Sequence, residues 1–270
     1  MNLKEWLRRN ERSLIILILL VLSILPFYIS FTVPLPTYHY TTKAYEKVNQ
    51  MNKGDLVLVS FDFSPGSWVE IGTAMSSVVQ HQFQKQVRIV FISFTAEAPP
   101  LIERALKEID IGDAKYGEDY VILGFIPGFE TGMASFVSNP RILEQDYYGT
   151  TIDKIPIMDD VHSITDFKLF TFGCITWIDP WMRQFSGTLP IILCIDAAGM
   201  PLVIPWIDSG QLYTAIRGAR GSAEYDTLIG RVGPALRLMN AGSVTGIYAF
   251  LLVIVGNIIF LRERARRRNE

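Results

Sequence analysis

The sequence predicts an α/β, Rossmann-like fold, a mostly parallel sheet with helices on both faces, flanked by N- and C-terminal transmembrane helices. Three observations lead there. Short, continuously apolar, β-branched runs such as Leu56 to Val59 have no polar face, as expected of strands covered on both sides. These runs alternate with amphipathic segments of helical length, the pattern of βαβ units. Each end of the chain carries an uncharged apolar run of twenty residues, Leu14 to Val33 and Gly242 to Leu261, and ~20 such residues cross a bilayer core.

The segment Asp55 to Gly72, DLVLVSFDFSPGSWVEIG, combines a strand, a turn and a helix start. Asp62 ends the strand, Ser64, Pro65 and Gly66 turn the chain, and Ser67 is expected to cap a helix carrying Val69, Ile71, Met75, Val78 and Val79. Upstream, Thr41 to Met51 is polar and helix-compatible. Downstream, Val87 to Phe94 is a second strand and Pro99 to Ile109 a helix with prolines in its first turn. Tyr120 to Ile126 is a third strand, followed by a short helix from Glu130 to Val137. Arg141 to Phe167 is polar and irregular, the longest loop-like insert, and such inserts are often functional. Lys168 to Cys174 and Pro190 to Asp196 are the fourth and fifth strands, with a helical patch around Trp177, Trp181 and Phe185 between them. Leu202 to Trp206 is an apolar patch suited to rest against either the bilayer surface or the sheet, and Ser222 is expected to begin a helix running almost into the second apolar run.

The ends fix the expected topology. Lys4, Arg8, Arg9 and Arg12 precede the first run, and Arg262, Arg264, Arg266, Arg267 and Arg268 follow the second. The positive-inside rule then puts both termini in the cytoplasm. The expected organisation is a cytoplasmic segment (1–13), a span (14–33), an extracytoplasmic domain (38–240), a second span (242–261) and a cytoplasmic polybasic tail (262–270). No A-x-A-like cleavage site follows Leu25, so an anchor is expected rather than a signal peptide. Between the spans, 16 Lys and Arg face 23 Asp and Glu, a net charge of −7. That balance excludes nucleic acid as a partner.

Open parallel sheets bind ligands outside the carboxyl ends of their strands. The candidate crevice therefore comprises Asp62, Ser64, Gly66, Ser67, Thr95, Gly128 and Asp196. Asp62-Phe63-Ser64-Pro65-Gly66-Ser67 resembles the D-x-S-x-S metal-adhesion loop of von Willebrand A-type domains, with Gly66 at the second serine position and Ser67 one place late. The resemblance implies oxygen ligands for Mg²⁺ from Asp62 and Ser64, with Asp196 as a further carboxylate. The competing expectation is a polar turn capping a helix. Arg217 and Arg220 in RGARG are candidates for holding an anion at a helix start, or for pairing with Glu224 or Asp226.

The segments YGEDYVILGFIPG (Tyr116 to Gly128), DYYGTTID (Asp146 to Asp153) and SGQLYTAIRGARGSAEYDTLIG (Ser209 to Gly230) are similar to segments of a family of uncharacterised prokaryotic membrane-anchored proteins with a Rossmann-like outer domain. The similarity covers nearly all of Gly54 to Gly233. Because that family has no established activity, it implies fold and topology and nothing about catalysis.

Motifs of nucleophilic, zinc or nucleotide chemistry are missing: there is no G-x-S-x-G, H-E-x-x-H, G-x-G-x-x-G or Walker lysine. His39, His81 and His162 are scattered. Cys174 and Cys194 lie in apolar runs and read as small core residues, with a bridge requiring a fortunate register. Gly242 and Gly246 form a G-x-x-x-G pair in the second span, with Asn257 deeper in, a pattern suited to close helix association. The sequence therefore points to a non-enzymatic, membrane-anchored binding or scaffold subunit without a cofactor. Its partners would be the bilayer, further copies of the chain or other membrane subunits. The alternative is a metal-dependent hydrolase or transferase using Asp62, Asp196 and Mg²⁺.

Overall fold

A computed structural model describes residues 9–29, 36–175 and 177–268. Most of the predicted cytoplasmic segment 1–13 and the end of the predicted span, residues 30–33, lie outside the described residues. The chain divides into two compact units, one of Leu35–Leu236 and one formed by Met1–Pro34 with Arg237–Glu270.

The larger unit is built on six parallel strands, β1 (Leu56–Asp62), β2 (Arg88–Ser93), β3 (Tyr120–Phe125), β4 (Phe167–Cys174), β5 (Ile191–Ile195) and β6 (Thr214–Arg217), in the order β3-β2-β1-β4-β5-β6. This is the strand order of dinucleotide-binding Rossmann folds, and it reverses direction between β1 and β4. β1 is buried along its whole length, as its unbroken apolar run requires. Leu56, Leu58, Ser60 and Asp62 turn to one face and Val57, Val59 and Phe61 to the other. The first face is covered by α5 (Glu130–Ser138), α6 (Asp179–Phe185), α7 (Met200–Asp208) and the 141–166 insert. The second carries α2 (His39–Asn49), α3 (Thr73–Gln84), α4 (Ala98–Glu108) and α8 (Gly218–Leu228).

Several local expectations are corrected. The helix expected straight after Ser67 is preceded by a 3₁₀ turn, Pro65–Ser67, and a π-helical turn, Trp68–Gly72, and Ser67 makes no capping bond. The π turn lets Trp68 fold back over Gly72, where a Cβ would lie 2.5 Å from the indole. Leu202 to Trp206 belongs to helix α7, which tolerates Pro201 in its first turn and buries Met200, Val203 and Ile207. Thr214–Arg217 is a sixth strand, and α8 starts at Gly218 rather than Ser222. The insert forms three short 3₁₀ turns tied down by Arg141–Asp153 and Arg88–Asp160 ion pairs, both 2.5 Å. It also closes one sheet edge, where Tyr147 N donates to Ile122 O at 2.9 Å. Cys174 and Cys194 are free and buried, and they face opposite sides of the sheet.

The smaller unit contains α1 (Glu11–Tyr28) and the part of α9 (Pro234–Arg268) from Arg237 onward. Among the described residues α9 is the one helix long and apolar enough to cross a membrane. Ile247, Phe250, Val253, Ile254, Ile258 and Leu261 lie exposed around it, as in a helix whose surroundings are apolar. The helix continues through the basic tail to Arg268. The described part of the first apolar run forms α1, 18 residues, or ~27 Å at the α-helical rise. Within this unit Tyr248 Oη donates to Ile15 O at 3.4 Å and Arg237 to Phe27 O at 3.3 Å, so the two helices run antiparallel.

Candidate functional site

The β1/β4 switch point holds Asp62, the last residue of β1. Its side chain lies on the α6 face, 5% exposed. Asp62 Oδ1 accepts from Phe94 N at 2.6 Å, and Oδ2 accepts from Ser60 Oγ and, at 3.3 Å, from the Trp181 indole. The Thr95 backbone N–H also bonds this carboxyl, and all four donors are neutral. Burial dominates the balance and pushes the carboxyl from 3.8 up to about 6, against the lowering effect of the hydrogen bonds.

The remaining predicted crevice residues share this edge because the strands are parallel, but their side chains do different work. Ser64 and Gly66 sit on the exposed turn. Thr95 follows β2 with its backbone beside Asp62, and its Oγ1 is buried without a partner. Gly128 has φ +96° in the turn after β3, where a Cβ would meet Thr131 Oγ1 at 2.6 Å. Asp196 follows β5, with Oδ1 buried and unpartnered beside Gly199. Asp62 and Asp196 both act on Cys174, whose thiol is pushed well up, chiefly by burial. The Mg²⁺ arrangement does not fit these positions. Asp62 spends both oxygens on protein donors, and Ser64 stands apart on the surface. Among the described residues no group of three or more His, Cys, Asp or Glu is placed to hold a metal ion.

Over Asp62 lies an aromatic stack that joins Trp177 and Trp181, from the expected helical patch, to Phe129 and Phe172. Trp181 lies parallel to Phe172, 5.5 Å between centroids, and Phe129 meets Trp181 edge-on at 5.1 Å. Trp177, 62% exposed, stacks on Phe129 at 5.1 Å. Phe129 has φ +49° and ψ −108°, a backbone conformation that a non-glycine residue adopts only under constraint from its surroundings.

The arginines do not form an anion cradle. Arg220 lies inside α8 and pairs with Glu224 at 3.0 Å, while Arg217 lies over the Tyr38 ring at 5.8 Å. Glu224, buried, also accepts from Tyr38 N and Thr41 Oγ1. The start of α8 already faces a protein carboxylate. Glu70 accepts from Ala197 N at 2.9 Å, and a Cβ on Gly218 would lie 3.1 Å from its Oε2. A second buried acid, Asp226 on α8, accepts from Ser77 at 2.6 Å and lies 3.7 Å from Arg231. Burial again raises it from 3.8 to about 6. Close by, His81 bonds Tyr225 at 2.9 Å and stacks on Tyr45. Burial, aided by Lys85, lowers it from 6.5 to about 4.

An open groove of about 500 Å³ lies at the opposite, amino edge of the sheet, beside Lys53, Phe83, Gln86, Asp110, Asp113 and Asp119. Phe83 is buried, while Lys53, Gln86, Asp110 and Asp113 are exposed.

In the smaller unit Gly242 and Gly246 lie exposed, with nothing within 4 Å of where a Cβ would be. Asn257 donates to Val253 O of its own helix at 2.8 Å.

No family model matches the sequence, and neither does any characterised protein. Among solved structures, the chain titled "crystal structure of AibC" aligns with a TM-score of 0.31 and 13% identity, over 80% of this chain and 53% of that one. The present chain thus spans about half of that protein's length.

Proposed function

We propose that the protein is a membrane-anchored, extracytoplasmic, Rossmann-like binding or scaffold subunit of a membrane assembly, with no catalytic chemistry of its own. The observation that carries this reading is the state of the switch point. The carboxylate that the fold places where ligand chemistry ordinarily occurs is spent on neutral protein donors and covered by aromatic rings. The apolar circumference of α9 supports anchoring. The antiparallel contacts of α1 with α9 support a two-pass arrangement, and the flanking arginines support cytoplasmic termini. The bilayer, further copies of the chain and other membrane subunits are the partners, with the open face of Gly242 and Gly246 available for helix association.

Extraction in mild detergent followed by mass spectrometry tests the reading. A second copy or another membrane protein should come with the chain in fixed proportion, and alkaline carbonate should leave the chain in the membrane pellet. Release by carbonate, or recovery as a solitary monomer, would refute it.

A further inference from the structure

Helix α9 does not stop where its apolar run does. It continues past Leu261 through residues 262–268, RERARRR, with Arg262, Arg264, Arg266, Arg267 and Arg268 all exposed. At 3.6 residues per turn these arginines point to every side of the helix. Five arginines against Glu263 give the segment a net charge of +4. Its rise is ~10 Å at the α-helical spacing, about one Debye length at ordinary ionic strength. On a helix that crosses a bilayer the whole cluster therefore stays within the field of the headgroups beside it.

The kind of cation matters as much as the number. Orientation by the positive-inside rule needs only positive charge, which lysine supplies as well as arginine. Every basic residue after Leu261 is arginine, and a planar guanidinium grips phosphate oxygens bidentately where an ammonium acts as a point charge. The region between the two apolar runs, at −7, repels such anions instead.

Resting on the membrane-anchored reading, we propose that residues 262–268 bind the phosphate headgroups of anionic lipids, gathering them around the end of α9 through the arginine forks. Binding is reversible and salt-sensitive, as charge pairing at a headgroup surface is.

The full chain would be placed in nanodiscs of equal phosphatidylcholine and phosphatidylglycerol, released into mild detergent, and its retained lipids counted by native mass spectrometry. Phosphatidylglycerol should be enriched about ten-fold over phosphatidylcholine, a modest yield for several basic residues at an anionic surface. Arg264→Gln, Arg266→Gln, Arg267→Gln and Arg268→Gln together should abolish the enrichment, and Arg→Lys at the same four positions should retain only part of it. An equimolar short RNA should leave the retained lipid in place.

Equal retention of the two lipids, or enrichment unchanged in the glutamine variant, would overturn the site. Full enrichment in the lysine variant would overturn recognition by guanidinium forks, and displacement by RNA would assign the tail to nucleic acid instead. The nanodisc exposes both ends of the chain, so none of these results depends on orientation. Membrane anchoring itself is judged separately, by carbonate extraction.

Discussion

Asp62, Asp226 and His81 are buried titratable groups whose shifts oppose one another. The folded carboxyls hold their protons up to about pH 6 against an ordinary 3.8, so their contribution to stability is complete below 3.8 and is lost as pH rises through 6. His81 is held neutral down to about 4 against an ordinary 6.5. Its contribution is complete above 6.5 and is lost as pH falls toward 4. A displacement from 3.8 to about 6 corresponds to roughly 3 kcal/mol per carboxyl. Between pH 7.5 and 5 the two carboxyls and the imidazole therefore largely offset. Removing one side unmasks the other: thermal unfolding of His81→Asn should shift upward on acidification, and that of Asp62→Asn downward. Parallel pH dependence in both variants would contradict the assigned shifts. The sequence places Asp62 at a strand end without showing that its partners are Phe94 N and Trp181, since these come from just after β2 and from α6 and meet it only once the sheet is assembled.

At the scale of elements, five strands and most helices are legible because each carries an apolar run or an amphipathic period of ordinary length. The elements that escape are those whose signal is short or contradicted. β6 has four residues, too few for alternation to register. α7 contains Pro205, and its apolar patch suits the bilayer surface or the sheet equally until Met200, Val203 and Ile207 are seen buried in the core. The π turn leaves no local mark beyond Gly72, which makes room for Trp68. Close approach of α3 to the sheet rests similarly on Gly173 in β4, where a Cβ would stand 2.8 Å from Ile71 and 2.9 Å from Met75. Gly173→Ala should therefore destabilise the domain by about 1–3 kcal/mol, the usual cost of overpacking a close-packed core. A lower urea midpoint with an unchanged slope is the expected readout, and an unchanged midpoint would mean that α3 shifts without cost.

For the whole molecule, the alternation of strands and helices made the parallel sheet legible, but strand order was not, because β4 crosses to the far side of β1 only after the long insert. Composition makes α9 long and apolar enough to cross a membrane, and the structure leaves Gly242 and Gly246 open on its surface. Gly242→Leu should weaken self-association or partner recovery in detergent while leaving insertion intact, since leucine favours a span but obstructs close helix approach. Retention of wild-type association would assign assembly to the outer domain.

The proposed topology has the Rossmann-like domain outside the cytoplasm on a membrane anchor. The native cysteines are buried, so a cysteine placed at exposed Glu144 in the insert gives a clean report. In intact cells a membrane-impermeant maleimide should label Glu144→Cys and leave the wild type unlabelled, whereas labelling that appears only after lysis would contradict the account.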